Sequence, residues 1–348
     1  MKKTILILLI SCTVSTLFAQ NDSKQDAFLT KSLAGQSVKQ VEVETSGGNI
    51  TVESTAVGQE RVEVFIWPSG RNKGASVSKE EIQKRLDELY DLKIAVADNQ
   101  LTAIAKPKKR NMNWKNGLSI SFKVFLAKDV STHLTTSGGN IDLRALSGEQ
   151  KITTSGGNLT IDNVKGKLRG TTSGGNIYVK NSDDNIDLTT SGGDIEANNC
   201  TGGIKLVTSG GSILLTDLNG NVDATTSGGN VRANDIRGEL EASTSGGNIN
   251  LLALSCNVST STSGGNIRVA MNDPSKFIKI RNSGGKIELE LPSGKGYDLD
   301  LSGDKIKTGN LANFSGKVED DRVNGKLNGG GTQVTADAGG GRLILTLK

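Results

Sequence analysis

The chain has 348 residues, with 44 glycines, four prolines and only seven phenylalanines, two tryptophans and three tyrosines. That composition excludes a broad aromatic core, and glycine that does not recur every third residue excludes a collagen-like rod. A formal charge of +4, from 41 basic and 37 acidic residues, excludes a general polyanion binder and so a nucleic-acid partner.

Residues 1–19 read as a secretory signal. Lys2 and Lys3 form the basic start, 5–10 is the apolar stretch, and Leu17-Phe18-Ala19 ends it, with cleavage before Gln20. The apolar run is too short to span a bilayer. A rival reading takes Leu9-Ile10-Ser11-Cys12 as a lipobox, so that a lipidated Cys12 starts an outer-membrane lipoprotein. Either reading exports the chain, to the cell surface, the medium or the periplasm. No later stretch predicts a transmembrane helix.

Residues 20–37 read as a flexible segment and 38–130 as an N-terminal β cap region. Apolar and polar residues alternate in 38–52, 61–67, 92–105 and 118–126, the pattern of half-buried strands. Between them Ser78-Lys79-Glu80-Glu81 has the form of a capping box. Ile82, Leu86, Leu89 and Tyr90 follow at helical spacing, which predicts one amphipathic helix over 79–90. A linker-like stretch at 69–77 and a basic loop at 106–117 flank these elements.

Self-similarity then takes over. Ser-Gly-Gly, a polar residue and an aliphatic one begin at Ser137, Ser155, Ser173, Ser191, Ser209, Ser227, Ser245, Ser263 and Ser283, with seven steps of 18 residues and a last one of 20. An isolated copy stands at Ser46 and a degenerate one at Ser302. Counting each serine as position 1, position 5 is always aliphatic, from Ile141 to Ile287, and position 7 is aliphatic or alanine. Position 14 is mostly aliphatic, as at Ile186 and Leu240. Position 18 is threonine in every regular unit, from Thr154 to Thr262. Alternation in two bursts predicts two short strands per unit, joined by the Ser-Gly-Gly turn and by a second turn near positions 9–12.

One such unit cannot bury its apolar face, but a stack of them in register does, at about 4.8 Å per coil. The fold class is therefore all-β: a parallel β-solenoid of 18-residue coils over 131–302, roughly 43 Å long for nine coils. The threonines and the position-4 asparagines are expected to form inward and corner ladders. Proline is absent from 108 to 273, as interior strands require. Residues 303–348 read as C-terminal strands and cap. Cys200 and Cys256 fall three coils apart, about 14 Å, beyond disulfide reach, and are expected to be small buried residues.

Chemistry is sparse. His133 is the only histidine, so multi-histidine metal sites are excluded and it is expected at the surface or in a cap. Asp142, Asp162 and the pair Asp183-Asp184 are the carboxylates nearest to an acid/base arrangement, yet they read as solvated strand and turn residues. The repeat lacks the recurring aspartate of calcium-binding nonapeptide rolls. Position-18 threonines, expected inward, do not make an ice-binding face. Tyr178 is the one aromatic between 131 and 270, so the rod offers few stacking platforms for sugars. One patch combines basic and aromatic side chains: Lys106, Lys108, Lys109, Arg110, Trp114 and Lys115, suited to anionic envelope polymers.

The Ser-Gly-Gly-Asn-Ile repeats behind a signal, the strand Val62-Glu63-Val64-Phe65-Ile66 and the closing Leu327-Asn328-Gly329-Gly330-Gly331 resemble a bacterial putative-adhesin family of β-strand-repeat domains of unknown function, over roughly residues 38–348. The signal ending Phe18-Ala19-Gln20 resembles those of exported proteins of Bacteroidetes-like bacteria. This resemblance implies a right-handed β-helix-like fold at the cell envelope, no enzymatic activity, no catalytic residues and no cofactor. The resulting expectation is an exported, non-catalytic module whose partner is an envelope polymer, glycan or surface protein. A periplasmic scaffold or stress-associated protein is the first alternative, and a carbohydrate-active β-helix enzyme the second.

Overall fold

A computed structural model describes residues 26–69, 77–109 and 116–348. The expected signal, Gln20, Cys12 and residues 110–115 of the basic loop lie outside the described residues.

The chain first forms β1 (Leu29–Ser32), β2 (Gln40–Thr45) and β3 (Ile50–Ser54), the last two meeting at Ser46-Gly47-Gly48-Asn49. Next come β4 (Arg61–Pro68), α1 (Lys79–Leu89), β5 (Tyr90–Ala97), β6 (Gln100–Pro107) and β7 (Leu118–Leu126), and then β8 (Ser131–Thr136) and β9 (Ile141–Arg144). The rod continues through β10 (Gln150–Thr154), β11 (Leu159–Asp162), β12 (Lys165–Thr172), β13 (Ile177–Lys180) and β14 (Asp183–Thr190). Four 14-residue strands follow: β15 (Ile195–Thr208), β16 (Ile213–Thr226), β17 (Val231–Thr244) and β18 (Ile249–Thr262). After them comes β19 (Ile267–Met271).

Successive coils pair in parallel with like residue beside like, as in Ile195 with Ile213 and Leu206 with Ala224. Two ladders result. A first face carries positions 13–18 and a second face positions 5–8, and side chains at positions 5, 7, 14, 16 and 18 point between them. Ile195, Leu215, Leu206 and Leu240 are buried there. The sequence predicted two separate strands per coil. From β15 to β18 one strand instead runs through the corner. A left-handed residue at position 9 (Asn199, Asp217, Asp235 or Ala253) bends the chain without ending its pairing. Position 10, read as part of a turn, points inward: Leu146, Val164, Cys200, Leu218, Ile236 and Leu254 are all buried.

Both expected polar ladders exist, and both run through backbone rather than from side chain to side chain. Thr208 donates its hydroxyl to the Gly193 carbonyl of the adjacent coil at 2.8 Å and accepts the Gly211 N–H at 3.3 Å. Thr154, Thr172, Thr190, Thr226, Thr244 and Thr262 repeat that first bond. At the corner, the Asn158 N–H donates to the Asn140 Oδ1 at 2.9 Å, and the pattern continues to Asn266. Each coil is thereby tied to the next at its turn as well as along its strands.

The ends break the chain order. At the N-terminal end β2 lies between β6 and β8, and β3 between β7 and β9. The early copy at Ser46 is therefore a full member of the stack, sitting one coil inside it, and the later segment β6–β7 forms the outermost parallel coil. Residues 127–130 carry the chain past the inserted coil. Antiparallel strands close the edges: β5 on β6, then β4 on β7 and β1 on β4. Lys31 on β1 donates to the Ile94 carbonyl on β5 at 2.6 Å, clamping the two outer edges together. The expected helix 79–90 is α1, capped by Ser78, whose hydroxyl accepts the Glu81 N–H at 3.3 Å. Glu81 turns to Arg85 instead of reaching back.

The C-terminal end repeats the device. β20 (Phe277–Asn282), β21 (Ile287–Leu291), β22 (Tyr297–Ser302) and β23 (Lys305–Thr308) come first, and β24 (Phe314–Val318) and β25 (Arg322–Leu327) form a hairpin. The last strands, β26 (Thr332–Asp337) and β27 (Arg342–Leu347), then insert between the coils already made: β26 between β20 and β22, β27 between β21 and β23. β25 covers β22 antiparallel. The turn Ala338-Gly339-Gly340-Gly341 is thus a further copy of the coil turn, unrecognised in the sequence because Gly339 stands in place of the serine and Ala338 in place of the threonine before it.

Candidate interaction surface

Every coil leaves positions 6 and 8 on the second face, and 13, 15 and 17 on the first, pointing outward. On the first face position 15 reads His133, Lys151, Arg169, Asp187, Lys205, Asp223, Glu241 and Ser259 in register. His133 is exposed there, beside Glu42 of the inserted coil. Tyr178 is outward and 40% exposed on the second face.

Two of the carboxylates singled out in the sequence, Asp162 and Asp183, are committed to neighbours. Asp183 accepts the Thr201 hydroxyl at 2.8 Å and pairs with Lys165 at 3.1 Å, and these two partners hold its carboxyl below the usual range. Asp162 pairs with Lys180 at 3.3 Å and accepts from Asn181. Each links one coil to the next, and exposed pairs of this kind contribute about 0–1 kcal/mol. Among the described residues no group of three or more His, Cys, Asp and Glu is placed to hold a metal.

Cys200 and Cys256 are free and fully buried. Burial raises the Cys200 thiol and pushes Cys256 up to about 12, with Glu239 adding to the shift. Thiolate is the reactive form. Both cysteines are therefore expected to resist iodoacetamide in the native chain and to label fully in denaturant. Mass spectrometry that finds either labelled at the native rate of a free surface thiol would contradict this packing.

The basic patch is only partly present as a cluster. Lys106, at the end of β6, pairs with Glu44 at 2.7 Å. Lys108 donates to the Asp87 carbonyl in the last turn of α1 at 2.6 Å and lies 4.0 Å from Asp91. Lys109 is exposed. Arg110, Trp114 and Lys115 lie outside the described residues.

One outward column was missed. Position 17 carries Thr135, Thr153, Thr171, Thr189, Val207, Thr225, Ser243 and Ser261 in register, an outward hydroxyl ladder beside the inward threonines that only Val207 interrupts. Thr225 and Ser243 share a 3.1 Å hydrogen bond along it. The doubled threonines at 135–136, 153–154, 171–172, 189–190 and 225–226 were the signal, since strand alternation sends one of each pair outward.

Residues 180–342, just under half of the chain, match the family profile described as Toastrack DUF4097. The match begins within β13 and ends at the start of β27, while the same coil register runs unbroken back to β9. No curated protein matches the chain. Solved structures similar to this chain include two from bacteria. A "putative cell adhesion protein" of Clostridium sporogenes shares 10% identity over 92% of this chain and 98% of its own, with a TM-score of 0.21. A "putative adhesin" of Bacteroides fragilis shares 12% identity over 91% of this chain and 96% of its own, with a TM-score of 0.25.

Proposed function

From the Toastrack DUF4097 domain at residues 180–342, we propose an exported, non-catalytic β-solenoid that acts as an adhesin-like interaction module of the cell surface or envelope. The observation that carries this reading is the separation of duties along the coils. Inward positions are dominated by aliphatic residues, alanine and the turn-binding threonine, with a few small or hydrogen-bonded exceptions such as Gln150, Ser182, Cys200 and Thr260, while outward positions 6, 8, 13 and 15 change residue type from coil to coil. A rod held from inside leaves its whole outer surface free to suit a partner.

The partner class is an envelope polymer, glycan or surface protein. A carbohydrate-active enzyme is disfavoured by the pairing of Asp162 and Asp183, because general acid catalysis needs a carboxyl raised toward neutral pH and Asp183 is lowered. The patch of Lys106, Lys108, Lys109, Arg110, Trp114 and Lys115 belongs to this proposal as a second contact region. Capture of anionic envelope polymer should fall when Lys108, Lys109 and Arg110 are changed to alanine.

Protease shaving of intact cells tests the reading. Peptides from 137–270 in the released fraction are expected. Full protection until lysis would overturn the surface placement in favour of the periplasmic scaffold. The same spectra distinguish a mature chain starting at Gln20 from one starting at a lipidated Cys12.

A further inference from the structure

The outward hydroxyl column on the first face ends at a cationic step. Ser261 is in register with Arg281, and Ser259 with Lys279, where β18 meets β20. On the far side Lys279 neighbours Thr335 and Arg281 neighbours Asp337, on β26. Ser259, Ser261, Lys279, Arg281 and Thr335 line a trough of about 500 Å³. It is concave because two serines and a threonine stand beside two of the longest side chains.

Both cations are exposed. Lys279 lies over the Phe277 ring, 4.9 Å from its centroid. The adjacent carboxylate, Asp337, faces other partners: its Oδ1 accepts the Ser302 hydroxyl at 3.1 Å and the Gly339 N–H at 3.0 Å. The trough thus offers an ammonium, a guanidinium fork and three hydroxyls, and among the described residues no carboxylate lies within ion-pair distance of either cation.

We propose that this trough binds a carboxylate of an acidic polysaccharide whose chain lies along the hydroxyl column. The inference rests on the interaction-module reading and names its ligand class. Arg281 matches a carboxylate through its two parallel N–H groups, and Lys279 adds a point charge. An extended hexose spans a length similar to one coil step, so each successive sugar meets a fresh serine or threonine from Ser261 back through Ser243 and Thr225.

Charge spacing narrows the ligand further. One and two coils before Ser259, position 15 is Glu241 and Asp223, and Asp337 follows Arg281. A chain with a negative charge on every unit, such as nucleic acid, a densely sulfated glycan or a homopolyuronate, would bring its next charges against these carboxylates. A polysaccharide with acidic sugars separated by neutral ones places one carboxylate at the cations and neutral hydroxyls on the ladder.

The test compares the native full chain with a Lys279→Ala, Arg281→Ala double variant by isothermal titration. Hyaluronan (alternating acidic and neutral sugars), polygalacturonate, heparin and neutral dextran serve as probes. The expected result is binding of hyaluronan in preference to the other three, weakened by about tenfold or more in the double variant, with an unchanged melting temperature. Because both side chains are exposed, the fold should survive. Arg281→Lys, which keeps the charge and removes the fork, should fall between the two. Equal hyaluronan binding by wild type and double variant would overturn the trough while leaving the interaction-module reading in place. Preference for heparin or polygalacturonate would overturn the spacing argument. Failure to bind any acidic probe would overturn the proposal, and shaving would still judge the interaction module separately.

Discussion

Replacing Gly211 with alanine is expected to break the stack locally, whereas replacing its neighbour Gly210 should leave it standing. A Cβ on Gly211 would lie 2.0 Å from the Gly193 carbonyl oxygen of the adjacent coil and 2.4 Å from its carbon. The obstacle is backbone, which cannot swing away as a side chain would. Relief requires the coils to part at the turn, breaking the Thr208 and Thr226 bonds that close it on either side. A Cβ on Gly210 meets nothing nearer than 3.5 Å. Among point substitutions, Gly211→Ala belongs with the exceptional losses of about 4 kcal/mol or more, and Gly210→Ala with those below about 1 kcal/mol. Hydrogen exchange across β15, β16 and β17 reads the difference locally, where a single melting temperature would average over the rod. Equal protection in the two variants would refute the close approach. The same contact recurs at Gly139, Gly157, Gly175, Gly193, Gly229, Gly247 and Gly265, which explains why the second glycine of the turn is invariant through the regular units.

A chain ending at Asn328 is expected to lose structure well before its new terminus. Removing β26 and β27 takes away the parallel strand partners of β22 and β23 and the Gly341 carbonyl that accepts the Asp304 N–H at the outer coil turn. It also removes the buried side chains of Val334, Leu343 and Leu345 from the middle of the end structure. Each such side chain contributes about 1.5–3 kcal/mol by burial. Solenoid coils couple mainly to their neighbours. Exchange protection should therefore vanish from β22 to β25 and weaken at β20 and β21, while β10 to β17 stay protected. Were the strands stacked in chain order, the truncation would peel off only its own coil. Native protection at Tyr297–Ser302 and Lys305–Thr308 in the shortened chain would show that order instead.

The rod was legible in the sequence because its interior obeys strict alternation: Ile195 and Ala197, then Ile204 and Leu206, announce themselves by period and by unit. Position 10 was not, since Cys200 sits among asparagines and glycine in a stretch that looks like a turn. Only the left-handed Asn199 beside it shows how the chain bends there and still faces a residue inward. The order of coils at the ends was illegible for a different reason. Every coil presents the same ladder to the next, so local sequence does not say whether Ser46-Gly47-Gly48 stacks first or second. Long-range pairing decides it, such as Val43 with both Ala103 and Leu134.

The surface was less readable than the core. Lys108 looked like a free cation and instead holds the last turn of α1, a contact that depends on a helix folding back across 21 residues of chain. The trough joins Ser261, Arg281 and Thr335 from strands that are neighbours in space although β26 is the second-last strand of the chain. Nothing in the spacing of these residues announces that.

Each end of the rod is a clasp, made by tucking a terminal segment one coil inward and laying antiparallel strands over what remains outside. A clasp of this kind is indifferent to what lies between. Whole 18-residue units between Ser137 and Thr262 can be gained or lost without disturbing either closure, so the protein's reach is adjustable in steps of about 4.8 Å. Growth at a tip is barred, because a new coil there would have to displace a strand already in place. Length in this architecture is set from the middle, like a bar cut to measure between two finished fittings.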